Sequence, residues 1–342
     1  MSDFSKSMTN DTTRPEQPDL LETVSALKNV VDGKSTALLF YGLSNRTEEE
    51  FYELRPYWDN LPADSRYQII LRMIEVSEMD FEMEYRTLGL HSLNDTDPRV
   101  RESAIELLWE DESSALQIHL EELAKYDPDD RVKARALRDL GRFILLGELG
   151  NLREEAMQSA QLVSIEALTD SRLPAFVRRR ALEAISNSSH ELVEKSIRDA
   201  YYGDEHEMRI GSIFAMGRTC DTQWNEIVLE ELNADDHEIR FEAARASGEL
   251  EIKAAIRSLA RLTTEPDLEI KEMSIWALGE IGGSEAMRIL DALAKSAEET
   301  DDEELLEAIE EAMGSASLAG GDLPFMLDLD EDEWLDQETG NS

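Results

Sequence analysis

The sequence predicts an all-α fold, an α-solenoid in which helix pairs wind as a right-handed superhelix. Three observations predict it: a segment that recurs at close to 31 residues, a second helical pattern between successive copies, and a helix-favouring composition. Of the 342 residues, 41% are hydrophobic but only 6% aromatic, with Ala, Leu, Glu and Arg recurring throughout. Those side chains lose little rotamer freedom in a helix.

The recurring segment is seen in "DPRVRESAIELLW" (97–109), "DDRVKARALRDLG" (129–141), "PAFVRRRALEAIS" (174–186), "EHEMRIGSIFAMG" (205–217), "DHEIRFEAARASG" (236–248) and "DLEIKEMSIWALG" (267–279). Its fourth position is an apolar anchor: Val100, Val132, Val177, Met208, Ile239, Ile270. The next residue is always basic: Arg101, Lys133, Arg178, Arg209, Arg240, Lys271. Four beyond the anchor stands a small residue, Ala104, Ala136, Ala181, Ser212, Ala243 or Ser274, which lets a neighbouring helix come close. An acid opens five of the six copies, as a helix N-cap would, and Pro174 opens the other. Gly141, Ser186, Gly217, Gly248 and Gly279 close the segment, where glycine would permit a left-handed turn, and Trp109 is the exception.

Anchor spacings are 32, 45, 31, 31 and 31 residues. Between copies, stretches such as "WNEIVLEELN" and "IKAAIRSLARLT" place apolar residues at helical steps and supply the second helix of each pair. The 45-residue interval gives 142–172 about 14 extra positions, expected in the turn between the paired helices or as a lengthened second helix.

The D-x-x-V-R-x-x-A-x-x-A-L-G helix followed by a second helix resembles the HEAT-repeat proteins, particularly the short bacterial kind named after phycobilisome lyases. The resemblance covers roughly residues 95–315. It implies an armadillo-like helical scaffold, a class that hosts many unrelated binding roles.

Residues 20–94 lack the anchor pattern and are expected to form a helical N-terminal cap of degenerate repeats. "TEEEF" has the Thr-x-x-Glu of a capping box, with Leu54 and Trp58 on one face beyond it. "DSRYQIILRMIEV" (64–76) and "DFEMEYRTLGLHSL" (80–93) are expected to continue the helical period. Residues 1–19 are expected to be disordered, 301–314 to form a last helix, and 316–342 to be an acidic disordered tail. In that tail Phe325, Leu327, Trp334 and Leu335 alternate with acids, the pattern of a linear motif that docks on a partner.

The charge excludes some functions. The net charge is -42; removing the eight uncompensated acids of 320–342 and the two net negative charges of 1–19 leaves -32 on 20–319. Such a field repels nucleic-acid phosphates and anionic lipid, and attracts basic proteins. No nucleic-acid or membrane partner is therefore expected. The N-terminus lacks the apolar core of a signal peptide, and the expected location is cytoplasmic. Oligomeric state is not written in the sequence.

Candidate chemistry is sparse. Cys220, the single cysteine, is expected to be a buried or half-buried inert thiol. His190-Glu191, His206-Glu207 and His237-Glu238 raise the question of iron, because deoxyhypusine hydroxylase is a HEAT-repeat enzyme that binds two irons through His-Glu pairs. In that family the pair lies inside the helix, directly after the Val-Arg step. The matching positions here are Glu102-Ser103, Ala134-Arg135, Arg179-Arg180, Ile210-Gly211, Phe241-Glu242 and Glu272-Met273, none with a histidine. The His-Glu pairs are expected at helix caps, and neither a metal nor another cofactor is expected. "DGKST" (32–36) echoes a phosphate-binding loop but has Lys28 where its first glycine belongs.

The basic column Arg101, Lys133, Arg178, Arg209, Arg240 and Lys271 is expected to be a structural ladder, each cation paired with acidic cap groups of its own or a neighbouring repeat. The function expected from this whole is a noncatalytic protein-interaction scaffold that engages a basic protein surface. The alternative, implied by the family resemblance, is a bilin lyase subunit acting on a phycobiliprotein.

Overall fold

The computed structural model of the protein describes residues 17–30 and 37–319, and α-helix is the only extended regular structure among them, joined by short turns. The chain divides into two compact units, 1–140 and 141–342. The first carries α1 (Leu20–Lys28), α2 (Ala37–Leu43), α3 (Glu48–Asp59), α4 (Ala63–Met79), α5 (Arg86–Ser92), α6 (Pro98–Leu107) and α7 (Ser114–Tyr126). The dividing point falls inside α8 (Asp130–Glu148). The second unit continues with α9 (Glu154–Thr169), α10 (Ala175–Ile185), α11 (Leu192–Tyr201), α12 (His206–Arg218), α13 (Asn225–Glu231), α14 (His237–Glu249), α15 (Ile256–Leu262), α16 (Leu268–Ile281), α17 (Gly283–Thr300) and α18 (Glu303–Ala319). Single 3-10 turns, Thr222–Trp224 and Lys253–Ala255, lead into α13 and α15.

In the second unit α10, α12, α14, α16 and α18 stack in that order, and α11, α13, α15 and α17 each pack on the helix that follows. This is the repeated helix pair of an α-solenoid. The anchors Val100, Val132, Val177, Met208, Ile239 and Ile270 are all buried, as is the whole small-residue column from Ala104 to Ser274. Cooperative stacking lets each short helix persist, because few of them would be stable alone.

The closing glycines do a different job from the one their position suggests. Gly217, Gly248 and Gly279 lie within their helices, and their missing side chains admit the next helix. A Cβ on Gly217 would stand 2.9 Å from the Cα of Ala246, one on Gly248 3.0 Å from that of Ala277, and one on Gly279 2.9 Å from that of Ala312. The left-handed residue comes three places later in each copy: Cys220 (φ 53), Glu251 (φ 50) and Gly282 (φ 60). Two of the three are not glycine, so close backbone approach is what selects glycine here.

Three further expectations change. The extra residues of 142–172 lengthen the first helix of their pair as well as the second, since α8 runs to Glu148 and α9 starts at Glu154. Residues 80–85 form a turn between α4 and α5 instead of continuing the helix. Cys220 is exposed, because it occupies the left-handed turn after α12. At the N-terminal end Asp19 and Glu22 form a capping box on α1, and Thr47 and Glu50 form another on α3. Both Leu54 and Trp58 are buried.

Candidate functional site

Two rows of charge run along the first helices of the repeats. The first is the basic column one residue past the anchor. Arg101 is buried and forks onto Asp127, Nε and Nη2 each donating at 2.7 Å, while Nη1 donates to the Asp95 carbonyl at 2.8 Å. Arg178 forks onto Glu205 at 2.8 and 2.5 Å and donates to the Leu173 carbonyl at 3.1 Å. Arg209 donates to Glu231 at 2.7 Å, and the same carboxylate accepts from the Tyr201 hydroxyl at 2.5 Å. Arg240 donates to Glu265 at 2.9 Å and to the carbonyls of Ala234 and Asp235. Among the described residues Lys133 reaches only Asp130 of its own helix, at 3.1 Å. Lys271 is half-buried and has no ion-pair partner among the described residues.

The geometry of the strong positions repeats. A guanidinium accepts no hydrogen bond and carries a rigid fork. At Arg101, Arg178 and Arg240 one edge holds a carboxylate and another N–H donates to a carbonyl five or six residues upstream, while Arg209 holds its carboxylate alone. The carboxylate lies in the segment that leads into the next repeat, so each arginine joins two repeats. Glu205 shows how the two uses of an acid compete: it makes no cap bond to α12, and Arg178 holds its carboxyl below the usual range. Asp97, Asp236 and Asp267 do cap their helices, and Asp129 accepts from the Arg131 N–H at 2.9 Å.

One member of this column was not legible in the sequence. Arg66 of α4 is buried, donates to Asp95 at 2.6 and 2.8 Å, and donates to the Leu61 carbonyl. Aligned on Arg66, the anchor place holds Ser65 and the small-residue place holds Ile69, which hides the repeat. Its signal is the opening "PADSR" (62–66), which parallels "PAFVR" (174–178), with Pro62 at the N-cap of α4 as Pro174 is at that of α10.

The second row is built around residues two to six places past the anchor, with Glu207 and Glu238 one place before theirs, and is not periodic. Arg179 sits at its centre, half-buried, with Nε at 2.8 Å from Glu183, Nη1 at 3.2 Å from Glu207 and 3.6 Å from Glu238, and Nη2 at 3.4 Å from Glu242. Its side chain starts on α10, crosses α12 and ends on α14. Gly211 makes the crossing possible, because a Cβ there would lie 2.7 Å from the Arg179 Cγ. Arg180 also donates to Glu183, at 2.5 Å, and Arg245 stands 3.7 Å from Glu242 with its guanidinium over the rings of Phe214 and Phe241.

Glu242 is buried and its Oε2 accepts no hydrogen bond among the described residues. Burial raises its pKa to about 7, against the pull of Arg245 and Arg179. Glu249, at the C-terminal end of the same helix α14, is also raised by burial although Arg218 donates to it at 3.2 Å. A proton held or released near neutral pH on Glu242 is the only chemistry this row offers, and perturbed carboxyls of that kind mark functional or strained positions.

The histidine pairs do not converge. The His206 ring lies 2.6 Å from Asp236, and the N–H groups at the start of α14 add to it; together they outweigh the burial of Asp236 and hold its carboxyl low. His190 accepts from the Leu192 N–H through Nδ1 at 3.2 Å, and His237 is the first residue of α14. Among the described residues no group of three or more His, Cys, Asp or Glu side chains is placed to hold a metal ion, and no helix is long and apolar enough to cross a membrane. Phe325, Leu327, Trp334 and Leu335 lie outside the described residues, as does the phosphate-loop echo.

Comparison with known proteins places part of this architecture. Residues 225–314 match the family model described as HEAT repeats, which spans α13 to α17 and most of α18. No curated protein matches the sequence. Among solved structures, the chain is similar to human deoxyhypusine hydroxylase in complex with glycerol, at 14% identity over 79% of this chain and 97% of that one, with a TM-score of 0.35. It is similar to yeast importin-β at 10% identity over 89% of this chain and 46% of that one, with a TM-score of 0.46. An engineered protein is 17% identical over 86% of this chain and 88% of its own, with a TM-score of 0.37.

Proposed function

We propose that the protein is a noncatalytic scaffold or adaptor, cytoplasmic, that engages a basic protein through its acidic surface. One observation carries the reading: six arginines of the repeat helices are taken up by carboxylates of the same chain and are not free to meet an anionic partner. Arg66 and Arg101 are buried in bidentate pairs, and Arg178, Arg179, Arg209 and Arg240 are each held by carboxylates of the same chain. Such pairs are neutral, so the whole acid surplus of the chain remains outside them, and it suits a cationic partner. HEAT repeats, matched over 225–314, commonly serve as protein-interaction scaffolds and support the same reading.

The apolar residues Phe325, Leu327, Trp334 and Leu335 belong to this proposal as a second contact. Each stands among acids, and burying one on a partner removes its apolar surface from water. The resemblance of the repeat to the kind named after phycobilisome lyases is what supports the rival bilin lyase reading. Pull-down followed by binding measurements tests the proposal. The recovered partner should be basic, its affinity should fall as salt rises, and truncation at Gly320 or changing Phe325 and Trp334 to Ala should weaken it. A partner bound with no dependence on salt overturns the acidic-surface reading; covalent bilin transfer to a phycobiliprotein would replace it with the rival.

A further inference from the structure

A cleft of about 600 Å³ opens in the first unit between the C-terminal end of α4 with its following turn and the C-terminal end of α6. Two aromatic side chains flank it. Phe81 is 83% exposed and Trp109 is 55% exposed, Trp109 being the residue that breaks the small closing position of its repeat. A large apolar ring left in water at a cleft mouth is the kind of surface a partner covers.

The polar groups of the cleft are one-sided. Five carboxylates line it and one guanidinium, Arg86, which is already committed to Asp111 at 2.9 Å and to the Ser113 hydroxyl at 3.1 Å. Glu78, Glu84, Glu110 and Glu112 are exposed and have no ion-pair partner among the described residues. Acids alone would mean little in a chain with 76 of them. Tyr85 is the independent sign. It lines the same cleft, is only 4% exposed, and its hydroxyl has no hydrogen-bond partner among the described residues. A buried hydroxyl left unpaired costs free energy; this one lies just beneath the cleft wall, and a donor group that parts the overlying side chains would satisfy it. Burial raises the Tyr85 pKa, so the phenol stays neutral and its oxygen can accept from a cation.

We infer that this cleft is a docking site for an arginine- or lysine-bearing peptide segment of the basic partner, with the cation against Trp109 and Phe81, its N–H groups reaching Tyr85, and the four free glutamates around it. The assignment rests on the basic-partner reading and adds the place at which that partner binds. Aromatic faces attract guanidinium and ammonium groups, and a ring of like-charged carboxylates rejects acidic sequences, so selectivity and attraction come from the same residues.

The probes are fluorescein-labelled short peptides alternating arginine with leucine, phenylalanine or tyrosine, and the matching glutamate peptides, titrated against the full chain. An arginine peptide should bind and the glutamate peptides should not. Trp109→Ala and Phe81→Ala should each weaken binding about tenfold, as expected for a truncated aromatic anchor. Glu110→Gln with Glu112→Gln should weaken it and flatten its salt dependence, and Tyr85→Phe, which preserves the buried ring, should weaken it several-fold. Equal binding of the arginine peptides to wild type and all these variants would overturn the cleft while leaving the basic-partner reading in place. Failure of every arginine peptide to bind the wild-type chain would count against both.

Discussion

Arg101 holds one carboxylate with two hydrogen bonds, whereas Arg179 is shared among four carboxylates at distances from 2.8 to 3.6 Å. Both sit on repeat helices only one residue apart in register. The ladder position satisfies one acid with one base in a fixed fork. The inner row has more carboxylates than its cations can satisfy, and the surplus appears as an elevated pKa on Glu242. One arrangement fixes geometry; the other leaves a proton free to come and go.

Breaking the ladder should give the largest effect. Arg101→Ala leaves Asp127 buried and uncompensated, and is expected to cost about 3–5 kcal/mol in urea unfolding. A loss below about 1 kcal/mol would mean that this rung matters no more than an exposed pair.

The inner row should respond to pH instead. Glu242 is raised from 4.5 to about 7, so the folded state binds its proton more tightly than the unfolded chain does. Its contribution to stability is complete below pH 4.5 and is lost as pH rises through about 7. At about 1.4 kcal/mol per unit the shift corresponds to roughly 3 kcal/mol as an upper figure. Glu242→Gln keeps a neutral side chain there and should therefore gain stability relative to wild type between pH 5 and pH 8. A stability difference between the two proteins that does not change with pH would remove the titrating role assigned to Glu242.

Gly211→Ala sharpens the comparison, because it blocks the Arg179 crossing without touching the ladder. Overpacking costs about 1–3 kcal/mol, while replacing a mid-helix glycine returns about 0.5–1 kcal/mol, so a net loss is expected in thermal unfolding. An unchanged or raised melting temperature would show that Arg179 leaves its place easily. The smallest effect should come from the ladder itself: Lys271→Ala, at a cation with no partner among the described residues, should stay within about 0.5 kcal/mol of wild type.

The ladder and the core could be read from the sequence because both repeat. Val177, Met208, Ile239 and Ile270 recur at 31-residue spacing, and the basic residue follows each of them. Arg66 escaped because Ser65 and Ile69 stand in its anchor and small-residue places, which breaks the pattern that marks the other copies. Arg179, Gly211 and Glu242 each occur in a single copy, so periodicity says nothing of them. Their meeting depends on how α10, α12 and α14 stack. The exposure of Cys220 was hidden for a related reason: the turn begins three residues after Gly217, and nothing in the glycine's identity marks that delay.

The reach of Arg179 also alters how the second unit should come apart. In a one-dimensional array each repeat couples only to its neighbours, and unfolding can begin at either end and stop between any two repeats. A side chain rooted in α10 and bonded on α14 adds a second-neighbour coupling across α12. The statistical weight of opening α12 alone is then lowered, since the bridge over it must also break. Amide hydrogen exchange should find α10, α12 and α14 opening as one cooperative block. Gly211, the residue with no side chain at all, would be what holds that block together.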